Sequence, residues 1–353
     1  MKISDLETPA LILDKRIFEA NMEKMDRLLE GTPMRLRPHY KSSKCAEIAR
    51  IQIKRGAVGI TCAKLGEAED LVKAGIKNIL IGNQVVQPSK VKRVGSLAND
   101  CYLIVCVDDA DNIRELSKAA AENNSVIHCL VEYEVGMKRC GVETYEEALA
   151  LAKLADSLEG LEFEGIQAYA GHMAHEHSLE VRKAETERIE KEVKGLKKYL
   201  EDNGLEVREI GGGSTGTIEQ KPKDTVYTDI QAGSYIFMDN AYRQLNLGFE
   251  NALFVLTTVI SVKKDRVVTD TGVKSLGMDQ GGPVFLGVPE GSEISMSEEH
   301  GAAYCEHNFK INDKLRYIPG HCCTTVNMFD EIYVIDGDEV TDCWKITARG
   351  KAR

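Results

Sequence analysis

The sequence predicts an α/β protein in which an N-terminal (β/α)8 TIM-type barrel is followed by a C-terminal all-β domain. From about residue 34 to residue 238, short apolar runs alternate with stretches of helical spacing, which is the pattern of a parallel α/β fold. Eight such runs occur, and eight is the number of strands that closes this kind of barrel. After about residue 250, apolar residues alternate with period two around turn signals such as "DGD", which indicates strands.

The barrel strands are predicted, in chain order, at residues 34–39, 57–63, 78–83, 101–107, 126–133, 163–171, 206–213 and 226–233. Helical spacing predicts helices at residues 43–56, 64–75, 109–124, 144–156 and 179–204. Several of these stretches end in Gly or Asn, the residues that most readily follow the end of a helix. A doubly wound open sheet is the alternative, and it is disfavoured because no GxGxxG motif follows the first strand.

The strands of the second domain are predicted within residues 252–272, 314–321 and 331–350, where β-branched residues are frequent. The N-terminal segment "TPALILDK" is a further predicted strand. We expect residues 13–248 to form the barrel. We expect residues 249–353, together with an N-terminal strand at residues 1–12, to form the β domain.

The composition restricts the kinds of partner. The 56 acidic and 45 basic residues give a formal net charge of −11, whereas nucleic acids and membranes require a basic surface, so neither is an expected partner. The N-terminus has no signal-peptide pattern, and no apolar run is long enough for a membrane span. Ten cysteines without a CxxC pair are typical of reduced thiols, so we expect a cytoplasmic protein.

The segment "MRLRPHYKSSK", residues 34–44, has a lysine directly after the first barrel strand. The functional residues of such barrels lie at the carboxyl ends of the strands, and a lysine there can form a Schiff base with an aldehyde. Lys41 is predicted for this role because it is closer to the strand end than Lys44, which is the alternative. Arg37, His39 and Lys44 are the candidates to lie beside it and lower its pKa.

Later strand ends add residues with complementary chemistry. Arg139 follows the fifth strand, and Gln167, Tyr169 and His172 lie at the end of the sixth. The loop "GGGSTGT", residues 211–217, follows the seventh strand, where glycines let backbone N–H groups approach an anion and hydroxyls add donors. A lysine, a phosphate-binding loop, an aromatic ring and an arginine at one rim together suggest pyridoxal 5′-phosphate (PLP).

The segment "HCCTTVN", residues 321–327, suggests a metal site. On a predicted extended strand, His321 and Cys323 would point to one face and share a metal ion, while Cys322 would point away. The alternative is a buried cysteine beside a capping histidine. Two protein ligands are too few for a structural zinc site, so a metal here would keep positions for water or substrate.

The motifs "RPHYKSSK", "GMKRCG", "GGGSTGT", "QAGSYIFMD" and "HCCTTVN" together resemble the fold-type III PLP enzymes, the alanine racemase-like family. The resemblance covers nearly the whole chain and is strongest to the branch that contains D-serine dehydratase, D-threonine aldolase and 3-hydroxy-D-aspartate aldolase. It implies a homodimer, a D-amino acid substrate and PLP bound to Lys41. It also implies that Arg139 lies near the phenolic oxygen of the cofactor and that Tyr169 stacks on its ring.

The same resemblance implies further cofactor-binding residues in two loops, namely Gly213, Ser214, Thr215, Gly216 and Thr217, and Gln231, Ser234 and Tyr235. His321 and Cys323 fall where that branch carries its divalent metal. In aldolases of the branch the metal motif is typically His-x-Asp, whereas the dehydratase has His-x-Cys. Cys323 therefore favours zinc over manganese or magnesium, because a thiolate is a soft ligand.

We therefore expect a dehydratase of D-serine or D-threonine, in which Lys41 removes the Cα proton, the metal assists loss of the β-hydroxyl, and a 2-oxo acid and ammonia result. The first alternative is an aldolase for D-threonine or 3-hydroxy-D-aspartate that releases glycine and an aldehyde, with His172 as a candidate base. An amino-acid racemase and a non-catalytic PLP carrier are the remaining alternatives.

Overall fold

The computed structural model describes residues 1–353, and their internal contacts divide them into two compact units. The barrel unit consists of Leu28–Lys41, Ala46–Gly233 and Lys351–Arg353. The β unit consists of Met1–Arg27, Ser42–Cys45 and Ser234–Gly350. Residues 13–27 and 234–248, which we expected in the barrel domain, fall in the β unit.

Strand β1 (Ala10–Asp14) belongs to the β unit, and the next eight strands form one parallel sheet. These eight are β2 (Arg35–Leu36), β3 (Ile60–Cys62), β4 (Asn78–Ile81), β5 (Tyr102–Val107), β6 (Ile127–Glu132), β7 (Leu161–Ala168), β8 (Glu209–Gly212) and β9 (Asp229–Ile230). Strand β9 pairs with β2, and a parallel bridge between His39 and Thr61 joins the end of β2 to β3. The sheet therefore closes on itself, and the predicted barrel is confirmed.

Seven helices precede or alternate with these strands: α1 (Lys15–Leu29), which lies in the β unit up to Arg27, α2 (Ala46–Lys54), α3 (Leu65–Lys73), α4 (Pro88–Leu97), α5 (Ala110–Asn123), α6 (Tyr145–Ser157) and α7 (Leu179–Asp202). Helices α1 and α4 are additional to the five predicted ones. Helix α4 begins at a proline and buries Val91, Val94 and Leu97 at spacings of three, a short stripe that is easily overlooked among polar residues. None of the helices has the length and apolar character needed to cross a membrane.

An arginine network lies inside the barrel near the amino ends of β8 and β9. Arg37 is 1% exposed; its Nε donates to Asp229 at 2.7 Å and its Nη2 donates to Glu209 at 2.9 Å. The expectation that Arg37 lies beside Lys41 as a tuning cation is therefore wrong, because its guanidinium is occupied by two buried carboxylates. Its role is to hold together strands that are far apart in sequence.

The β unit contains eight further strands: β10 (Leu253–Lys263), β11 (Arg266–Thr269), β12 (Val284–Leu286), β13 (Glu293–Met296), β14 (Gly301–Tyr304), β15 (Lys314–Ile318), β16 (Glu331–Asp336) and β17 (Glu339–Lys345). They form a sheet of order β13-β14-β11-β10-β1-β16-β17, with β15 paired to both β10 and β12. Strand β1 lies between β10 and β16, where Ile12 packs with Phe254, Leu256 and Ile335. The predicted all-β character of this region is confirmed.

Two short helices interrupt the strands of the β unit, α8 (Asn240–Arg243) and α9 (Cys322–Val326). The prediction of an extended strand at 321–327 is therefore wrong beyond His321, whose own backbone is extended. The buried Asp239 explains the helix start, because its carboxylate accepts the N–H groups of both Tyr242 and Cys322 at 2.9 Å. A side chain distant in sequence thus caps α9.

Candidate active site

Lys41 lies on a short 3-10 helix, Tyr40–Ser42, that follows β2. The preceding His39 fixes the start of this helix, since its backbone N–H donates to the Ala232 carbonyl at 3.2 Å and its Nδ1 accepts the Lys41 N–H at 3.3 Å. The alternative lysine, Lys44, belongs to the β unit, where its carbonyl accepts the N–H of Ala348.

A cavity of about 170 Å³ lies at the carboxyl ends of the barrel strands. Lys41, Arg139 and Tyr169 line it, and the rest of its polar lining consists of His39, Asn83, Gln167 and Gln231. Lys44 is not among the lining residues. The structure therefore brings together five residues that the sequence singles out at separate strand ends. His39, a candidate neighbour of Lys41, also lines the cavity, and the structure adds Asn83, which the sequence did not indicate.

Two cations lie near the face of the Tyr169 ring. Its centroid is 5.8 Å from Lys41 Nζ and 5.6 Å from Arg139 Cζ, within the range of an attraction between a cation and an aromatic face. An aromatic ligand stacked on Tyr169 would therefore have an amine and a guanidinium at its edges.

The loop after β6 presents Arg139. Glu134 accepts backbone N–H groups from Gly136 and from Arg139, the latter at 3.2 Å, so the loop folds around one carboxylate. The Arg139 Nη2 is 3.7 Å from Glu132 Oε1. Burial raises the pKa of Glu132, while a hydrogen bond from Gln84 and the charge of Arg139 oppose this shift.

Gln167 and Gln231 form a reciprocal amide pair in the cavity wall. Each amide nitrogen lies within hydrogen-bond distance of the other residue's oxygen, at 2.9 and 2.8 Å. A Cβ on Gly211 would lie 2.7 Å from Gln231 Nε2, so the glycine-rich loop begins directly against this pair.

The loop at residues 211–217 is stabilised by its own hydroxyls. Ser214 N–H donates to Thr217 Oγ1 at 3.1 Å, and the two hydroxyls are 3.2 Å apart. Gly213 has a positive φ of 72°, and a Cβ on Gly216 would overlap the Ala174 carbonyl oxygen. Gly213 and Thr217 line a separate space of about 10 Å³ with Lys221, and the loop does not line the Lys41 cavity itself.

Lys221 beneath this loop was not singled out by any sequence motif. Its Nζ lies 2.8 Å from Glu190 Oε1 and 3.3 Å from the Tyr227 ring centroid. Burial lowers the pKa of Lys221 to about 8, although Glu190 opposes this shift.

These residues fit a PLP molecule by their chemistry. The cavity supplies an amine for the aldehyde, an aromatic platform and a guanidinium, and the loop that starts at Gly211 is compact, glycine-rich and built from hydroxyl residues. The volume admits a small aromatic ligand.

His321 and Cys323 of the β unit are neighbours in space. Burial alone would lower the pKa of His321, but hydrogen bonding to Cys323 and Asp279 and their charges raise this pKa to about 9. The His321 Nδ1 lies 2.7 Å from Asp279 Oδ2, which leaves Nε2 as the nitrogen for a metal ion. The Cys323 thiol donates to Ser42 Oγ at 3.3 Å.

This nitrogen and sulfur pair fits a divalent metal such as zinc, and Asp279 occupies the position from which a carboxylate usually orients a metal-binding histidine. Asp279 was not predicted, since no spacing in the sequence connects it with His321. Cys322 is fully buried and begins helix α9, so the alternation of faces on an extended strand does not apply to it.

Three predicted site residues have other surroundings. His172 does not line the Lys41 cavity, and its Nε2 lies 3.4 Å from Glu185 Oε1. Ser234 and Tyr235 belong to the β unit, where the Ser234 hydroxyl is 3.8 Å from Cys323 Sγ and the Tyr235 ring packs 6.0 Å from Phe249.

A second group of possible metal ligands, His128, Glu162 and Glu164, lies at the amino ends of β6 and β7. Arg208 already donates to Glu164 at 2.9 Å. Burial opposes ionisation of Glu164, but hydrogen bonds from His128, Arg208 and Tyr102 lower its pKa to about 2. We interpret this group as a structural ion-pair cluster, because active sites of barrels lie at the opposite strand ends.

Comparison with known proteins finds a matching family model for each of the two parts of the chain. The family model for the alanine racemase N-terminal domain matches residues 13–241, and that for a putative serine dehydratase domain matches residues 252–335. The crystal structure of a D-threonine aldolase from Filomicrobium marinum superposes with a TM-score of 0.96 at 37% identity, covering 99% of this chain and 98% of the other.

Among curated relatives, a D-threonine aldolase from an Arthrobacter species is 39% identical, covering 99% of this chain and 95% of its own length. A 3-hydroxy-D-aspartate aldolase from Paracoccus denitrificans is 38% identical, with coverages of 99% and 94%. A D-threo-3-hydroxyaspartate dehydratase from a Delftia species is 26% identical, with coverages of 96% and 97%.

Proposed function

The chain belongs to the alanine racemase-like family of PLP-dependent enzymes, and we propose that it is a lyase acting on D-amino acids that carry a hydroxyl on Cβ. The observation that carries this proposal is the cavity in which Lys41, Arg139 and Tyr169 meet. An amine, a guanidinium and an aromatic face around about 170 Å³ suit a PLP molecule.

In this proposal Lys41 holds the aldehyde of PLP, and Tyr169 and Arg139 orient its ring. Residues 213–217 hold the phosphate in this proposal. Because the Ser214 N–H donates to Thr217 Oγ1 and the Thr217 N–H donates to the Ser214 carbonyl, the proposed phosphate donors are the N–H groups of Gly213, Thr215 and Gly216. Gln231, Ser234 and Tyr235 complete the predicted cofactor contacts. When bound, PLP supplies an electron sink for charge that develops at Cα.

The reaction also needs proton transfer. The Lys41 amine is the group proposed to move the Cα proton, because it lies in the cavity. For cleavage of the Cα–Cβ bond the hydroxyl must lose a proton, and we propose His39 as the base in place of His172. His39 lines the cavity, whereas His172 is held at Glu185 outside it.

His321 and Cys323 are the proposed metal ligands. A divalent ion there would act as a Lewis acid toward the β-oxygen of the substrate. The thiolate favours zinc over manganese or magnesium, and the contact between His321 and Asp279 supports metal binding by orienting the imidazole.

Two reactions are compatible with these groups, and we propose aldol cleavage, to glycine and an aldehyde, as the first. The relatives that are 38% and 39% identical are aldolases, whereas the dehydratase relative is 26% identical. Elimination to a 2-oxo acid and ammonia is the second candidate, and Cys323 is the observation that favours it. The substrates of the relatives make D-threonine and 3-hydroxy-D-aspartate the first compounds to assay.

We also propose that the protein is a homodimer. The resemblance to alanine racemase-like enzymes supports this oligomeric state, and light scattering that gives the monomer mass would contradict it.

We further propose that the protein is cytoplasmic. All ten cysteines are free, which supports a reducing compartment such as the cytoplasm. Cell fractionation that finds the protein elsewhere would contradict this location.

The lysine assignment is tested by Lys41→Ala with Lys44→Ala as the matched control. We expect Lys41→Ala to lose both the visible absorbance of bound PLP and the activity, because the cofactor loses its covalent attachment. Lys44→Ala is expected to keep both. A PLP adduct that borohydride fixes to the Lys41→Ala protein would move the role to another lysine and overturn this part of the proposal.

A further inference from the structure

The residue before Lys41 is anchored to a neighbouring helix. Tyr40 is 2% exposed, and its hydroxyl donates to Asp70 Oδ2 at 2.8 Å. Asp70 lies on the buried face of α3. Because Tyr40 is the first residue of the 3-10 helix that carries Lys41, this hydrogen bond holds that helix against α3, in addition to the contacts of His39 at its start.

The second oxygen of Asp70 is held by a residue that is very distant in sequence. Lys351 Nζ lies 3.1 Å from Asp70 Oδ1. The segment Lys351–Arg353 groups with the barrel unit, although the residues just before it belong to the β unit. It packs closely on α3, because a Cβ on Gly66 would lie 2.5 Å from the Arg353 carbonyl oxygen and 3.1 Å from that of Lys351.

The charges explain why Lys351 matters to Tyr40. The Asp70 side chain is only 7% exposed, whereas that of Lys351 is 36% exposed. Burying a charged carboxylate costs free energy unless a cation pairs with it, and a carboxylate is a strong acceptor for a tyrosine hydroxyl. Lys351 therefore strengthens the hydrogen bond that anchors the helix of Lys41.

We propose that Lys351 is a positioning residue that holds Lys41 for PLP through Asp70 and Tyr40, and that the segment Lys351–Arg353 is a latch for the cofactor site. This inference rests on the proposed role of Lys41. It makes PLP affinity depend on a side chain that has no contact with the cavity.

The test is a titration of each full-length variant with PLP, followed by the absorbance of the bound cofactor, together with thermal unfolding without PLP. We expect Lys351→Met to weaken PLP binding by about fivefold, the lower end of the usual coupling between linked sites, and Lys351→Arg to restore it. Lys118→Met is the matched control, because Lys118 is an exposed lysine on α5, and it is expected to bind PLP as the unmodified protein does.

Tyr40→Phe keeps the ring and removes the donor to Asp70, so it is expected to weaken PLP binding to a similar degree. If the three residues act in one chain, the double variant with Lys351→Met binds PLP no more weakly than either single variant. Unchanged binding in Lys351→Met, or effects that multiply in the double variant, would overturn the latch. Unchanged covalent binding in Lys41→Ala would instead overturn the role of Lys41, and the latch with it.

Discussion

Arg139 shows how one side chain depends on its loop for its role. Its backbone N–H is held by Glu134 at 3.2 Å, and its guanidinium lies both near Tyr169 and 3.7 Å from Glu132. Arg139→Lys keeps the charge but loses the planar fork. We expect about tenfold weaker PLP binding with unchanged thermal stability, since a hydrogen bond to a charged group is usually worth about 1.5–3 kcal/mol. PLP binding equal to that of the unmodified protein would show that Arg139 does not contact the cofactor.

The adjacent cysteines provide a matched pair for the metal site. Cys323→Ala should lose bound zinc and activity yet keep the absorbance of PLP on Lys41, and EDTA should have the same effect on the unmodified protein. Zinc should restore activity at least as well as manganese or magnesium. Cys322→Ala removes a buried thiol whose backbone is fixed by Asp239, so its metal content should not change. Full zinc occupancy in Cys323→Ala, measured by elemental analysis, would exclude Cys323 as a ligand.

Lys41, Arg139 and Tyr169 could be predicted because each follows a strand, and the carboxyl ends of barrel strands meet at one rim. Asp279 and Lys221 could not, because their partners His321 and Glu190 lie 42 and 31 positions away and no spacing rule connects them. His39 lies within the predicted motif, but no feature of the sequence favours it over His172 as the base. Its position in the cavity is what favours it.

The strands of the barrel are joined internally by charge as well as by apolar packing. Burial, the largest cause, and the nearby Asp229 raise the pKa of Glu209 to about 8, and they outweigh the ion pair with Arg37. A carboxyl group whose pKa is higher in the folded than in the unfolded state adds to the free energy of unfolding at low pH. This contribution is complete below about pH 4, the usual pKa of the unfolded group, and it is lost as the pH rises through 8.

Glu209→Gln keeps a hydrogen-bond acceptor for Arg37 and removes the ionisable carboxyl group. We expect its free energy of unfolding to fall less between pH 5 and 8 than that of the unmodified protein, by on the order of 2 kcal/mol. Denaturant unfolding across this pH range measures the difference. Glu206→Gln is the control, since the Glu206 side chain is 76% exposed. Equal slopes for the two variants would show that Glu209 is ionised in the folded protein throughout.

The periodicity of the sequence located every barrel strand, because the longer strands such as β5 and β6 are largely apolar, as expected for strands that helices cover. It failed at residues 321–327, where an extended strand was predicted. The helix α9 forms there because Asp239 caps it, and a cap supplied by a distant side chain leaves no local signal. The short strand β9 was predicted too long, because the apolar and polar residues around it continue in the same pattern beyond the paired residues Asp229–Ile230.

Across the whole molecule, the two units carry different parts of the proposed chemistry: the barrel supplies the PLP cavity, and the β unit supplies His321 and Cys323. Relatives that match nearly the whole chain include two proteins named as aldolases and one named as a dehydratase, so the fold does not choose between the two reactions. Product analysis can do so, because both proposed reactions would use the same lysine and the same metal ion.

The most direct test is product analysis with D-threonine, using the purified protein supplied with PLP and zinc. Our account predicts that glycine and acetaldehyde appear in equal amounts and that the Lys41→Ala protein forms neither. Formation of 2-oxobutyrate and ammonia instead would show that elimination is the reaction. Cys323 would then have indicated the reaction more reliably than the percentage identity to the aldolase relatives. D-serine and 3-hydroxy-D-aspartate would be assayed for the corresponding aldehydes and 2-oxo acids. If none of the three substrates were cleaved or eliminated while PLP was bound at Lys41, the proposed lyase function would be contradicted.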